Sequence, residues 1–385
     1  MDAMGGEHRL SEEELAQLVE RVFAPSPQER KLAILADLPD AALPDRPAWR
    51  DRRHLAAGWA RRLERAGYDV ALVLYRNARS PNAELPETAW RHEAHLPLPD
   101  GADRLDPADA VPLAEVFARH PLILAPTELS ATAPLKLLAP RYGFRAATMP
   151  GFSRRMIPAL RLDYGEIDRR VRALAALLDA AAGAELIFRT GGDELRLDLD
   201  LRHRRGHASG GRMTRPGEVG NLPSGESYVV PYEGERDGDP SRTQGILPVQ
   251  LAGGVVRFRI AANRAVEVSG DEPAASEQAA LLAAEPARGN LAELGLGVLA
   301  DLGLEPIGEI LLDEKLGLHL AFGRSDHFGG RVGPSSFSRP EAVVHLDHVY
   351  LPQLQPAIEV QRLDLVGPGG GRTPLMRRGR YVIEL

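Results

Sequence analysis

The sequence predicts an α/β N-terminal domain with a parallel sheet, followed by a mixed α+β C-terminal domain. Three observations predict it. At 385 residues the chain is longer than one ordinary domain. Apolar runs alternate with amphipathic stretches up to about residue 160, the pattern of strands joined by covering helices. Beyond that point short apolar or alternating runs follow one another between Gly, Pro and Asp, as antiparallel strands do.

Ser11 followed by Glu14 reads as a capping box opening a helix through Val22. Residues 32–38 form an apolar strand. Trp49, Leu55, Trp59 and Leu63 recur at near-helical spacing, with Gly67 as a stop signal. Residues 70–75 and 122–126 are further apolar runs. No Gly-x-Gly-x-x-Gly turn or Walker-type lysine loop marks this half as nucleotide-binding. Ile167, Val171, Leu174 and Leu178 make one apolar stripe of a helix ending near Gly183. A hairpin follows, with strands 186–190 and 194–201 around Gly191, Gly192 and Asp193. Strands are expected at 228–231, 246–249, 255–260 and 265–268, a helix at 276–284, and closing strands at 307–312, 318–321, 342–344, 358–360 and 380–385. The domains are expected at 1–160 and 161–385, with the junction near 150–165.

Composition narrows the function. Hydrophobic residues make up 44% and charged residues 26%, a soluble globular balance. A net charge of −7 argues against nucleic-acid binding, which needs concentrated positive surface. The basic cluster at 202–205 follows Asp198 and Asp200 and reads as a solvated strand end. Without cysteine there is no disulfide, thiolate metal site or cysteine nucleophile. No apolar run approaches a membrane span, and residues 1–14 lack the pattern of a signal peptide. A cytoplasmic protein is the expectation.

Chemistry concentrates in the last 160 residues. Glu226 follows Asn221-Leu222-Pro223-Ser224-Gly225, and Glu293 stands in Asn290-Leu291-Ala292-Glu293-Leu294-Gly295. Glu314 and His319 frame a turn at Gly317, five residues apart where a helix would need three or four. His345 and Asp347 are two apart, so in a strand both project to one face. Taken singly, Glu314 reads as a surface charge beside Asp313 and Lys315, and His319 as a core histidine. Glu293 lies among leucines, where a carboxylate needs a partner. Together, four carboxylates and two imidazoles suit two divalent ions of the zinc, cobalt or manganese type, whose charge the carboxylates would offset.

These same segments resemble the aminopeptidase T family of metallo-aminopeptidases. The shared markers are Asn-Leu-Pro-x-Gly-Glu, Glu-Leu-Gly-x-Gly, Glu-(x4)-His-x-Ala-x-Gly and His-x-Asp, in that order, from about residue 160 to the C-terminus. The resemblance implies that Glu226, Glu293, Glu314, His319, His345 and Asp347 are metal ligands, Glu314 alternatively a base. It also implies amide hydrolysis by a metal-activated water, a peptide or amino-acid-derived substrate, and a homodimer.

One position departs from the family. Seven residues after the first ligand histidine the family has a tyrosine that assists the scissile carbonyl, and this chain has Asp326. An ionised aspartate repels an oxyanion, so His327 or Arg324 is expected to take that task. Asp326 itself is expected to attract a cationic group on a specialised substrate. The Gly329-Gly330 pair is similar to a related branch of iron-dependent, ring-cleaving dihydroxypyridine dioxygenases, which gives an alternative: Fe(II) held by His319, His345 and Asp347. A third possibility is a non-catalytic relative that binds a peptide or a partner.

Overall fold

A computed structural model describes residues 8–385; residues 1–7, part of the segment read as lacking a signal peptide, lie outside the described residues. The chain divides into two compact units. One runs up to Asp168 and takes in Ser209–Ser224; the other comprises Arg169–Ala208 and Gly225–Leu385. The return of Ser209–Ser224 to the first unit makes both units discontinuous in sequence.

The first unit is built on a seven-stranded sheet. In spatial order its strands are Val219–Asn221, Arg145–Thr148, Leu122–Ala125, Lys31–Leu38, Asp69–Arg76, Thr88–His92 and Val111–Pro112. The five strands from Val219–Asn221 to Asp69–Arg76 are parallel, and the last two pair antiparallel. Burial on both faces explains why these strands read as continuous apolar runs. Ala33, Leu35, Val73 and Ile123 pack with Val116, Phe117, Leu135 and Phe144 in one core cluster. The helix Glu12–Phe23 opens on the expected box: Ser11 Oγ accepts from Glu14 N–H and Glu14 reaches back to Ser11 N–H.

The second unit contains two sheets. The larger has eight antiparallel strands, led in sequence by the hairpin Gly183–Thr190 and Asp193–Asp200. The smaller has five, in the order His345–Val349, Leu318–Gly323, Leu291–Gly297, Glu226–Val229 and His207–Ser209, and the first four pair antiparallel. Phe258 of the larger sheet meets Phe322 of the smaller with ring centroids 5.0 Å apart, and Tyr350 Oη donates to Pro248 O at 2.8 Å.

Three expected strands are corrected. Residues 307–312 form a turn leading into the short helix Ile310–Asp313, where Asp313 accepts from the N–H groups of Ile307 and Gly308. Pro306 and Gly308 interrupt any strand there. Residues 342–344 lie in a turn after Pro340, with Val343 and Val344 packed against Val332 and Phe337; the strand begins at His345. At the C-terminus only Arg380–Tyr381 pair as a strand. Leu291–Gly297 is a fully buried strand that the sequence reading did not anticipate. The arginines at 202 and 204 are tied to acids, Arg202 to Asp200 and Asp239 and Arg204 to Glu235.

Candidate metal centre

The smaller sheet of the second unit gathers the candidate residues on one face. Antiparallel register sets Glu226 opposite Gly297, Tyr228 opposite Gly295, Gly295 opposite His319, Glu293 opposite Ala321, and Ala321 opposite Asp347. Residues directly opposite share a face, as do residues two apart on a strand. Glu226, Tyr228, Glu293, His319, His345 and Asp347 therefore project together, with Gly295, Gly297, Ala321 and Gly323 between them. The alternate residues Leu294, Leu296, Leu320 and Phe322 face the other way and are buried.

The small residues are a packing requirement. A Cβ on Gly295 would lie 1.9 Å from His319 Nε2, and one on Gly297 would lie 2.2 Å from the backbone carbon of Lys315. The glycines of Glu-Leu-Gly-x-Gly thus make room for the His319 ring and for the turn that carries Glu314 and Lys315.

Two sets of donors converge on this face: Glu226, Glu293 and His319, and Glu293, His345 and Asp347. Glu293 belongs to both. Its Oε1 lies 3.3 Å from His319 Nε2 and its Oε2 3.2 Å from His345 Nε2, which is 3.3 Å from Asp347 Oδ1. His319, His345 and Asp347, the three residues of the iron alternative, lie on the same face, with Glu293 between His319 and His345. Glu314 lies outside both sets. It caps the short helix, and its carboxylate bonds to Lys315 Nζ.

The residues present fit a divalent cation. Glu226 Oε2 is buried with no hydrogen bond and with His319 Nε2 3.4 Å away, so a cation between that carboxylate and the imidazole would satisfy both. His345 Nδ1 lies 2.8 Å from the carbonyl oxygen of Arg324, leaving Nε2 towards the carboxylates. A ring nitrogen secured in this way is the usual arrangement behind a metal-binding imidazole.

Electrostatics separate the groups. Burial would raise the Glu293 carboxyl, but hydrogen bonds and charge from His319 and His345 hold it well below the carboxylate range. Burial would lower His319, but the Glu293 bond and the neighbouring carboxylates raise it to about 9. His345 is raised against the pull of burial by Asp347 and Glu293, and that imidazole in turn lowers Asp347 against its own burial. Burial pushes Glu314 up to about 8 against the pull of Lys315, and the Glu226 and Asp347 charges add to the rise.

The loop after the His319 strand carries the remaining candidates. Asp326 Oδ1 accepts from Arg324 Nε at 2.5 Å, so its charge is met within the loop. Although partial burial opposes ionisation, Arg324 holds the Asp326 carboxyl low. The His327 ring lies 5.4 Å from that of His345, and burial, with the His345 and Arg324 charges, pulls it down to about 4. His327 is thus a neutral neighbour of the site.

Two residues at the site were not anticipated. Lys315 is 1% exposed and its ammonium bonds to both Glu226 and Glu314. Tyr228 stacks on His207 at 5.1 Å and meets Phe328 at 4.8 Å. Burial and the nearby Glu293 and Glu226 charges hold its phenol protonated. The signal for Tyr228 was available, since it stands two residues beyond Glu226. For Lys315 nothing in the sequence distinguished a buried lysine from a surface one.

No protein-family profile matches the chain. Aminopeptidase T of Thermus thermophilus is 30% identical over 245 residues, covering 56% of this chain and 53% of that protein. Aminopeptidase T of Thermus aquaticus is 30% identical over 190 residues, covering 45% and 42%. The chain thus spans about half the length of the curated relatives it matches. Among solved structures, a 2,5-dihydroxypyridine dioxygenase of Pseudomonas putida aligns over 98% of this chain and 99% of its own, with a TM-score of 0.61 and 15% identity. The solved aminopeptidase T of T. thermophilus aligns over 97% and 99%, with a TM-score of 0.52 and 20% identity. The resemblance carried by the motifs is therefore shown: this chain is similar in sequence to aminopeptidase T, and it shares a fold with both solved proteins.

Proposed function

We propose that this chain is a divalent-metal-dependent amide hydrolase, an aminopeptidase-like exopeptidase acting on a peptide or amino-acid conjugate. The observation that carries the reading is the convergence of two carboxylate–imidazole donor sets on one sheet face through a shared Glu293. Sequence similarity to aminopeptidase T supports the reaction class. Glu293, His345 and Asp347 would hold the ion, with Glu226 and His319 facing the same space. When bound, an ion of the zinc, cobalt or manganese type would acidify a water and stabilise an oxyanion.

The chain's own residues divide the remaining work. Glu314, outside both donor sets, would take the proton of the attacking water and pass it to the leaving amine, its carboxylate held by the Lys315 ammonium. Tyr228 shares the face and offers a protonated phenol, so it supplies the hydrogen-bond donor that Asp326 cannot. Asp326 is engaged by Arg324, so we assign it no contact with substrate, and a generic aminoacyl substrate suits the site better than a cationic one. His327 forms part of the wall beside His345. The homodimer and cytoplasmic location implied by the resemblance and composition belong to this proposal.

The test is turnover of aminoacyl-p-nitroanilides and short peptides by metal-reconstituted protein, which should be abolished by Glu293→Ala. The closer structural likeness to the dioxygenase favours a second reading, ring cleavage at iron. Oxygen uptake with a dihydroxypyridine, and no peptide turnover, would establish that reading instead.

A further inference from the structure

The first unit concentrates positive charge at one place, in a chain whose net charge is −7. Four arginines, Arg9, Arg61, Arg62 and Arg154, line a cavity of about 320 Å³ together with His54. Among the described residues, no Asp or Glu lines it. His54, Gly58 and Arg62 lie four apart on the helix Pro47–Arg65, so they share one face of it, with Arg61 alongside.

Among the described residues, only one of these four guanidinium groups meets a carboxylate: Arg154 Nε lies 2.9 Å from Asp51 Oδ2. Arg61 donates to the carbonyl of Ala94, and Arg62 to that of Gly58 over 3.1 Å. A carbonyl accepts a hydrogen bond without cancelling a charge. The half-buried Arg62 guanidinium is pulled below its ordinary value by burial and by the charges of Arg9, Arg65, Arg61 and Arg154. A cleft lined by one sign of charge draws its counter-ion.

Gly58 makes the room. It is buried within the helix, where glycine is destabilising relative to alanine. A Cβ there would lie 3.3 Å from Arg62 Nη1, the atom that donates to Gly58 O. The missing side chain lets the Arg62 guanidinium lie against the helix at the cavity.

We propose that this cavity binds a compact polyanion, a phosphate-bearing or polycarboxylate small molecule held by Arg9, Arg61, Arg62 and Arg154. Guanidinium groups pair in a two-pronged way with phosphate and carboxylate oxygens, and several around one cavity match an anion with several charged oxygens. The volume lies at the lower end of small-molecule sites, about 300–1,000 Å³. A nucleic acid needs instead a basic track along its backbone. The lining residues all belong to the first unit and those of the metal centre to the second, so the proposal stands independently of the hydrolase reading.

The experiment is calorimetric titration of the full chain at low ionic strength with inorganic pyrophosphate and, separately, with citrate. One saturable site per chain is expected for at least one of them, and the tighter probe names the class. Arg62→Gln and Arg61→Gln should each weaken binding about 10–100-fold, the loss of a charge-assisted hydrogen bond; Arg61 is exposed, so its variant decides the matter even if Arg62→Gln fails to fold. Gly58→Ala should raise the thermal midpoint and still weaken binding, because the methyl crowds Arg62. Arg141→Gln, an exposed arginine outside the cavity, and Glu293→Ala should bind as wild type does. Absence of saturable binding by either anion would overturn the proposal, as would equal weakening in Arg61→Gln and Arg141→Gln, which would mean diffuse surface charge. Binding kept by Arg61→Gln and Arg62→Gln but lost by Glu293→Ala would place the anion at the metal centre and also overturn it.

Discussion

His345 Nδ1 donates to the carbonyl oxygen of Arg324 over 2.8 Å. A carbonyl can only accept, so the proton is on Nδ1, and Nε2 faces Glu293 and Asp347 with a lone pair or a second proton. Without a cation between them, these groups must either take up that proton or repel one another. The Arg324 side chain meanwhile grips Asp326. A single residue therefore orients a candidate ligand through its backbone and, through its side chain, holds Asp326, which stands where the family has a tyrosine. This coupling ties Asp326 into the loop that carries Arg324.

The Asp326–Arg324 pair is partly solvated, and such pairs contribute about 0.2–1 kcal/mol. Asp326→Asn should therefore cost less than about 1 kcal/mol in chemical denaturation. It should leave kcat/KM on aminoacyl-p-nitroanilides within about twofold, well short of the loss expected for a group touching the transition state. Asp326→Tyr should keep or raise that activity. A hundredfold loss in Asp326→Asn, with metal content intact, would restore a direct substrate role.

Tyr228→Phe removes one hydroxyl and little packing. If the phenol donates to the developing oxyanion, kcat should fall about 10²-fold. Metal stoichiometry and the thermal midpoint should hardly move, because the ring keeps its contacts with His207 and Phe328. An unchanged kcat would remove Tyr228 from the mechanism.

Gly295→Ala tests the packing of the sheet face. The added methyl would collide with the His319 ring, and overpacking of this kind costs about 1–3 kcal/mol. A displaced His319 can no longer support Glu293, so Zn²⁺ affinity should drop about 10–100-fold, as when an outer partner of a ligand is lost. His319→Ala in the same background should recover much of the stability but not the affinity. Wild-type affinity in Gly295→Ala would mean that His319 does not orient Glu293.

The parts of this site that were legible in the sequence obey local rules. His345 and Asp347 share a face because a strand repeats every two residues, and Ser11 with Glu14 announces a helix start through a local hydrogen-bond pattern. The strand Leu291–Gly297 was missed because Gly295 and Gly297 erase the β-propensity of the run. Their purpose is visible only once His319 and Lys315 arrive from another segment. Lys315 was missed for the opposite reason: a lysine beside two acids is usually solvated, and its burial depends on the position of Glu226, 89 residues earlier. The strand expected at 342–344 yielded to Pro340 and to packing of Val343 and Val344 against Phe337.

Stability should carry a pH signature from the other unit. Asp37, at the C-terminal end of the strand Lys31–Leu38, is fully buried; it accepts from Glu128 N–H at 2.7 Å, Leu129 N–H at 3.0 Å and the Trp49 indole at 3.1 Å. Burial outweighs these bonds and pushes its carboxyl up to about 6, against about 3.9 in an unfolded chain. The folded protein therefore binds more protons than the unfolded one between those values, and stability falls as pH rises through that window. Above about pH 6 the full disadvantage, about 3 kcal/mol for a two-unit shift, is in force. Asp37→Asn cannot titrate. It will be less stable than wild type at low pH, where an amide mismatches the two backbone N–H donors, and the gap should narrow as pH rises from about 4 to about 6. Urea unfolding followed by tryptophan fluorescence at several pH values measures that gap, and a gap independent of pH would show that Asp37 titrates alike in both states.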